Sequence, residues 1–160
     1  MIRILESAWE WIRMVRPEQL RMWMLLLFTA LCAWQDIRSR SICIWTYLIF
    51  GAVGLFICFL DKTALMSVFA AVLPGVLLLG LSRMLPGSIG SGDGVYFLTA
   101  ALYLDAERVV VLLFWSMSAC AASALLVIVC QMTSGRPLHG KKTALPYLAF
   151  VFPVLCLMQL

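Results

Sequence analysis

Long apolar runs separated by short polar stretches make up most of this chain. Such runs occur at residues 20–35, 42–60, 63–81, 95–104, 109–132 and 144–160. Most of them approach the roughly 20 apolar residues that an α-helix needs to cross a bilayer. The run at 95–104 is short for a crossing unless it tilts little or includes part of the Gly-rich stretch before it. The pattern predicts an all-α, polytopic membrane protein with about six transmembrane helices.

Residues 1–19 show a different, amphipathic pattern. Apolar residues recur there at helical spacing, at Ile2, Leu5, Trp9, Ile12 and Val15. Charged residues fall largely on the other faces, which is typical of a helix lying in the membrane interface. A secretory signal is the rival interpretation, but the charges are interspersed and no small-residue cleavage site follows. We expect one membrane-embedded domain over residues 1–160, with an interfacial helix at 1–19 and a transmembrane core at 20–160.

Composition narrows the class of function. Of the 160 residues, 64% are hydrophobic and 12% are charged, whereas a soluble domain is roughly half apolar and a quarter charged. No dense Lys/Arg run argues for a nucleic-acid partner. The six cysteines form no Cys-x-x-Cys pair, and the only histidine is His139. We therefore expect no metal or other cofactor, and we expect the lipid bilayer as a partner.

The basic residues of the connections indicate which face is cytoplasmic. One set of connections carries Arg38, Arg40, Arg83, Arg136, Lys141 and Lys142. The other set carries only Lys62 and Arg108. Because cytoplasmic loops are enriched in Lys and Arg, the first set should face the cytoplasm. Six crossings would then place both termini outside, although the arginine-containing N-terminus fits the rule poorly there.

Two aspartates lie at the ends of predicted spans, where a carboxylate is costly and needs a functional explanation. Asp36 follows the first span, and Asp93 follows the Gly-rich stretch after the third. Two crossings separate them, so both should lie at the same, cytoplasmic face. Asp61 and Asp105 lie at the opposite face beside basic residues, and we interpret them as solvated span ends.

Two carboxylates at one face suit peptide hydrolysis by an aspartyl dyad. One ionised carboxylate deprotonates a water molecule, and one protonated carboxyl group hydrogen-bonds to the scissile carbonyl. Double ionisation of such a pair is unfavourable, so the pair retains a shared proton and titrates as a unit. Gly90 and Gly92, on either side of Ser91, suit a backbone that turns sharply or approaches a substrate closely.

Three segments together carry a family resemblance. Asp36 is followed by Arg-Ser-Arg-Ser-Ile at 38–42, Gly-Ser-Gly-Asp-Gly stands at 90–94, and Lys-Thr-Ala-Leu-Pro-Tyr stands at 142–147. In residues, order and topology, the chain resembles the type IV prepilin peptidases, which are membrane aspartyl proteases of the Gly-x-Gly-Asp class. The resemblance covers most of the chain.

The chain departs from the family pattern in two places. Cys43 and Ile44 stand where the family usually has Pro-Asn, and Val95 stands where a lysine commonly follows the second aspartate. Neither change removes a carboxylate, so we expect the chemistry to be kept while substrate positioning differs. We expect no counterpart here of the cytoplasmic, cysteine-bearing region that is associated with N-methylation in the large members. The chain looks like the short form, similar to the peptidases of tight-adherence pili and to archaeal preflagellin peptidases.

The resemblance implies an aspartic-type endopeptidase of the plasma (inner) membrane. Its substrate would be a prepilin or pilin-like precursor, cleaved at the cytoplasmic face just before the hydrophobic helix, typically after a glycine or another small residue. Asp36 and Asp93 would share the acid and base roles. Gly90 and Gly92 would shape the loop that presents Asp93. The sequence leaves open which aspartate ionises first.

Three other interpretations stay open. Presenilin-like and signal-peptide-peptidase-like proteases share Gly-x-Gly-Asp, but here Gln35 rather than a tyrosine precedes Asp36. The Ala-Leu-Pro sequence at 144–146 also differs in order from the Pro-Ala-Leu motif of those families. A membrane assembly factor or transporter could use the aspartates to bind cations or protons. An inactive relative of the peptidases would fit the two departures from the family pattern.

Overall fold

The computed structural model describes residues 17–39, 41–60, 65–85, 90–133 and 146–159. Within these ranges the chain forms helices and turns and no strand. The helices are α1 (Pro17–Ser39), α2 (Ile44–Leu60), α3 (Leu65–Met84), α4 (Ser91–Ala100), α5 (Ala106–Thr133) and α6 (Leu148–Leu157). The prediction of an all-α fold is confirmed for the described residues. The predicted interfacial helix at 1–19 lies outside them, except for residues 17–19, which begin α1.

Three of the helices, α1, α3 and α5, are long and apolar enough to cross a membrane. The qualifying segments are Glu18–Ser39, Ser67–Met84 and Ala106–Cys130. The apolar helical segments Ile44–Phe59 and Leu148–Leu157, in α2 and α6, are shorter. Large apolar side chains cover the outside of the bundle, with Trp23 70% and Phe59 83% exposed, which suits a surface in contact with lipid. These features agree with a membrane protein, and the count of six crossings stays a prediction.

Helix boundaries differ from the predicted ones where the aspartates lie. The pattern predicts a first span that stops before Asp36, but α1 continues to Ser39. The pattern also predicts a loop at Gly-Ser-Gly and a helix at 95–104, but α4 begins at Ser91 and ends at Ala100. An acidic residue in the first turn interacts favourably with the helix dipole, so the polar start of α4 is compatible with helix. Both aspartates therefore project from helices rather than from loops.

The centre of the bundle is α4, which packs most extensively against α3. Its fully buried side chains include Tyr96, Phe97 and Ala100. A Cβ added to Gly75 would lie 2.7 Å from the backbone nitrogen of Leu98, and one added to Gly94 would lie 2.7 Å from Leu79 Cγ. The two helices therefore approach at distances that only glycine permits, as small residues do in membrane bundles. This contact fixes the start of α4, where Asp93 lies.

An aromatic contact joins α1 to α4, the two helices that carry the aspartates. The rings of Phe28 and Tyr96 stack with their centroids 5.3 Å apart. Beside them, the hydroxyls of Thr29 and Tyr96 form a 2.8 Å hydrogen bond. Asp36 lies about two helical turns from Thr29, and Asp93 lies about one turn from Tyr96, so each aspartate shares a helix face with this contact. The contact thus joins α1 and α4 on the helix faces that carry the two aspartates.

Candidate active site

Asp36 is half-buried in the last turn of α1. Its Oδ2 accepts a 3.1 Å hydrogen bond from the backbone N–H of Leu148. Leu148 is the first residue of α6, so its N–H has no partner within the helix and lies at the positive end of the helix dipole. The start of α6 therefore docks on Asp36 with a group that favours an ionised carboxylate.

Asp93 is half-buried in the first turn of α4. Its backbone N–H donates to the Gly90 carbonyl at 3.1 Å, and the Gly90 backbone in turn hydrogen-bonds to the Asp93 carboxylate. The third helical residue thus lies folded back toward the N-cap residue, as it does in a capping box. The local geometry holds the carboxyl group close to the helix start instead of letting it extend into solvent.

Gly90 leaves space for the Asp93 side chain, and its own backbone conformation is an ordinary one. Its φ of −70° and ψ of 129° are extended values that any residue adopts. A Cβ at this position would lie 3.0 Å from Asp93 Oδ2, closer than ordinary contact. A Cβ at Gly92 would meet only Tyr47 Oη at 3.5 Å and Ile42 Cδ1 at 3.9 Å. Of the two glycines, Gly90 is thus the one whose missing side chain leaves space for the carboxylate.

The structure brings Asp36 and Asp93 into electrostatic contact. Burial, followed by the negative charge of Asp36, raises the pKa of Asp93 from 3.8 to about 7, against the lowering effect of the Gly90 hydrogen bond. A carboxylate near a second carboxylate loses its proton reluctantly, because the two like charges repel in a poorly solvated site. The two aspartates therefore interact electrostatically, and Asp93 keeps its proton to a higher pH than an isolated aspartate would.

Two tyrosines frame the pair. The Tyr47 hydroxyl, from α2, donates to the Gly92 carbonyl at 3.0 Å, and the charges of both aspartates act on it. Tyr147 precedes α6 and shares a 2.6 Å hydroxyl hydrogen bond with Ser116 of α5. Tyr47 belongs to none of the sequence motifs, so sequence reasoning missed it. Tyr147 ends the Lys-Thr-Ala-Leu-Pro-Tyr segment at 142–147, but the sequence predicted no role for its side chain.

The segment between Asp36 and α2 is held by the side chain of Gln35. Its Oε1 accepts the backbone N–H of Cys43 at 3.0 Å, and its Nε2 donates to Thr46 Oγ1 at 3.0 Å. A proline at position 43, as in the family that the sequence resembles, has no N–H to donate. Cys43 thus allows a hydrogen bond that the family's usual residue could not make. Its acceptor, Gln35, is the residue before Asp36.

Other candidate residues lie away from the pair or outside the described residues. Asp105 is exposed after the far end of α4, as expected for a solvated span end. Arg38 is exposed in the last turn of α1. Asp61, Arg40 and the segment 141–145 lie outside the described residues. Among the residues that the structure describes, no group of three or more His, Cys, Asp or Glu side chains could hold a metal ion.

Comparison of the chain with protein-family models, with curated proteins and with solved structures gives no match. Two coupled carboxyl groups with one proton between them can deprotonate a nucleophile and donate a hydrogen bond to an acceptor at the same time. This arrangement suits acid–base hydrolysis.

Proposed function

We propose that this protein is a membrane aspartyl endopeptidase that removes the leader peptide of prepilin or pilin-like precursors. The observation that carries the proposal is the coupling of Asp36 and Asp93, from two different helices, at one end of the bundle. The substrate class rests on the resemblance of the motifs around these residues to those of the type IV prepilin peptidases. We further propose that the chain crosses the plasma membrane about six times, with this end toward the cytoplasm.

The proposed reaction needs only the two carboxyl groups and a water molecule. The ionised carboxylate takes a proton from water as the oxygen of that water bonds to the scissile carbonyl carbon. The protonated carboxyl group donates its hydrogen bond to the carbonyl oxygen, which gains negative charge. When the tetrahedral intermediate collapses, the C–N bond breaks and the leaving nitrogen receives the proton that came from water.

The dyad is tested by removing each carboxyl group in turn. A candidate precursor is co-expressed with the wild-type protein, with Asp36→Ala, or with Asp93→Ala, and its size is followed by immunoblot. Wild-type protein should yield a shortened pilin, and each variant should lower processing by at least about 10³-fold, because neither carboxyl group can do the work of both. Asn replacements at the same positions keep the side-chain size and should be equally inactive.

Asp105→Ala is the matched control, because Asp105 is exposed at the other end of α4. It should process the precursor at the wild-type rate. Normal processing by either dyad variant would show that the pair is not catalytic. A transporter or an assembly factor would leave the precursor uncut even with wild-type protein, and an inactive relative would do the same.

A further inference from the structure

Among the described residues, Tyr47 is the one tyrosine that hydrogen-bonds to the backbone next to Asp93. Its hydroxyl donates to the Gly92 carbonyl at 3.0 Å, one residue before Asp93. In a helix this carbonyl also accepts the N–H four residues further on, and a carbonyl oxygen has two lone pairs for two such bonds. The Tyr47 bond therefore adds to the first turn of α4 without breaking it.

The ring of Tyr47 is fixed as well as its hydroxyl. Tyr47 is buried, and its ring meets the ring of Phe28 edge-on, with the centroids 6.0 Å apart. Phe28 belongs to α1 and stacks on Tyr96 of α4. One side chain of α2 thus contacts both helices that carry the aspartates, through its ring on one and through its hydroxyl on the other.

We propose that Tyr47 is a positioning residue of the aspartyl pair, whose hydroxyl holds the Gly92–Asp93 peptide so that the Asp93 carboxyl group stays against Asp36. The expected effect on kcat rests on the proposed function. The positioning of the Asp93 carboxyl group relative to Asp36 does not depend on that function. The titratable groups whose charges act on Tyr47 are Cys32, Asp36, Asp93 and Tyr96.

The kinetic test compares two tyrosine hydroxyls. Tyr47→Phe keeps the ring and its contact with Phe28 and removes only the hydrogen bond. Tyr103→Phe is the matched control, because the Tyr103 hydroxyl donates to the Phe50 carbonyl at 2.5 Å, beyond the far end of α4. We expect kcat on the precursor to fall about 10- to 100-fold in Tyr47→Phe with KM within about twofold, because a displaced catalytic group slows chemistry more than binding. Tyr103→Phe should keep both constants within about twofold.

A second measurement does not need catalysis. The melting temperature of the purified protein in detergent is followed against pH. A folded-state pKa raised above the unfolded value means that the native state binds more protons, so stability falls as pH rises between about 4 and 7 and levels above that. Asp93→Asn should remove this fall in melting temperature, which would identify Asp93 as its source. In Tyr47→Phe the fall should end about one pH unit lower than in the wild type, because Asp93 is then freer to move away from Asp36.

The outcomes separate the two proposals. If wild-type protein leaves every precursor uncut, the proposed function fails, and the melting profile still decides the role of Tyr47. If wild-type protein cleaves and Tyr47→Phe matches Tyr103→Phe in kcat and in the melting profile, Tyr47 is an ordinary packing residue and the inference is overturned. A fall in kcat together with the shifted profile supports it.

Discussion

Asp36 and Asp93 occupy different surroundings although both lie at the same end of the bundle. Asp36 accepts the first N–H of α6, which favours its ionised form. Asp93 is held back against the start of its own helix, where burial and the Asp36 charge raise its pKa to about 7. These surroundings favour Asp93 as the carrier of the proton in the proposed dyad. In the proposed reaction, Asp36 would then be the group that deprotonates water.

The pH dependence of cleavage follows from this assignment. Because Asp93 loses its proton as pH rises through about 7, the acid partner of the dyad disappears and the cleavage rate should fall on the alkaline side of neutrality. Initial rates in detergent between about pH 5 and pH 9 measure this limb. Asp105→Ala should give the same profile as the wild type. A rate that keeps rising above pH 8 would contradict a protonated Asp93.

Sequence reasoning at the residue scale singled out the two aspartates, but not the groups that contact the segments around them. Both carboxylates stand out because charges are rare in so apolar a chain. Tyr47 and Gln35 give no such signal, since their roles depend on a contact with the Gly92 carbonyl and with the Cys43 N–H. The Leu148 N–H is a backbone group, and every non-proline residue has one. Positioning groups of this kind become visible only in three dimensions.

At the scale of elements, the third glycine of the motif is the one that helix packing requires. Gly94 lies on the face of α4 that meets α3, and an added Cβ would lie 2.7 Å from Leu79 Cγ and 3.0 Å from the Leu79 backbone nitrogen. The sequence predicts roles for Gly90 and Gly92 through backbone freedom. Gly90 has an extended backbone that any residue adopts, however, and a Cβ at Gly92 would make only ordinary contacts. The helix-packing role of Gly94 could not be predicted, because it depends on which face of α4 meets α3.

Alanine substitutions should separate the two helical glycines. Gly94→Ala should lower stability by about 1–3 kcal/mol, because α3 and α4 must move apart to admit the methyl group. It should also reduce cleavage, since Asp93 is the preceding residue. Gly92→Ala meets only ordinary contacts and gains helix propensity, so its stability should stay within about 1 kcal/mol of wild type. Thermal unfolding in detergent measures both, and equal stability of the two variants would contradict this packing argument.

At the scale of the whole molecule, the periodicity predicted the helices better than it predicted their ends. Each of the six apolar runs corresponds to one helix. The ends shift because Asp36 and Ser91 are tolerated inside helices when neighbouring elements supply partners, such as the Leu148 N–H. Helix lengths also vary more than a uniform set of spans predicts, from the 10 residues of α4 to the 28 of α5. Tertiary contacts, rather than local pattern, set these lengths.

Two exposed tryptophans flank the end of the bundle that carries the aspartyl pair. Trp34, in the last turns of α1, is 65% exposed, and Trp45, in the first turn of α2, is 67% exposed. Tryptophan is enriched at the boundary between headgroups and hydrocarbon, where its ring is apolar and its N–H finds a partner. Both residues flank the end that carries Asp36. We therefore expect the pair at the depth of a membrane interface, where water would be available for the proposed hydrolysis.

The side of the membrane that holds this end can be measured by cysteine labelling. Cys43 is exposed between α1 and α2, and Glu107 is exposed in the first turn of α5 at the other end of the bundle. One variant keeps Cys43 as its single cysteine. The other carries Glu107→Cys in a cysteine-free background. A membrane-impermeant maleimide should label Glu107→Cys in spheroplasts and Cys43 only in inverted membrane vesicles, because the Arg-rich connections favour the cytoplasmic side.

Two results would contradict this topology in different ways. Labelling of Cys43 in spheroplasts would place the aspartyl pair outside, where it could not meet a precursor at the cytoplasmic face. If α1, α3 and α5 cross the membrane, their lengths place the two ends of the bundle on opposite faces. Labelling of both cysteines from one side would contradict that arrangement. The expected pattern would leave the pair on the side where a newly made precursor still carries its leader, so that cleavage precedes assembly.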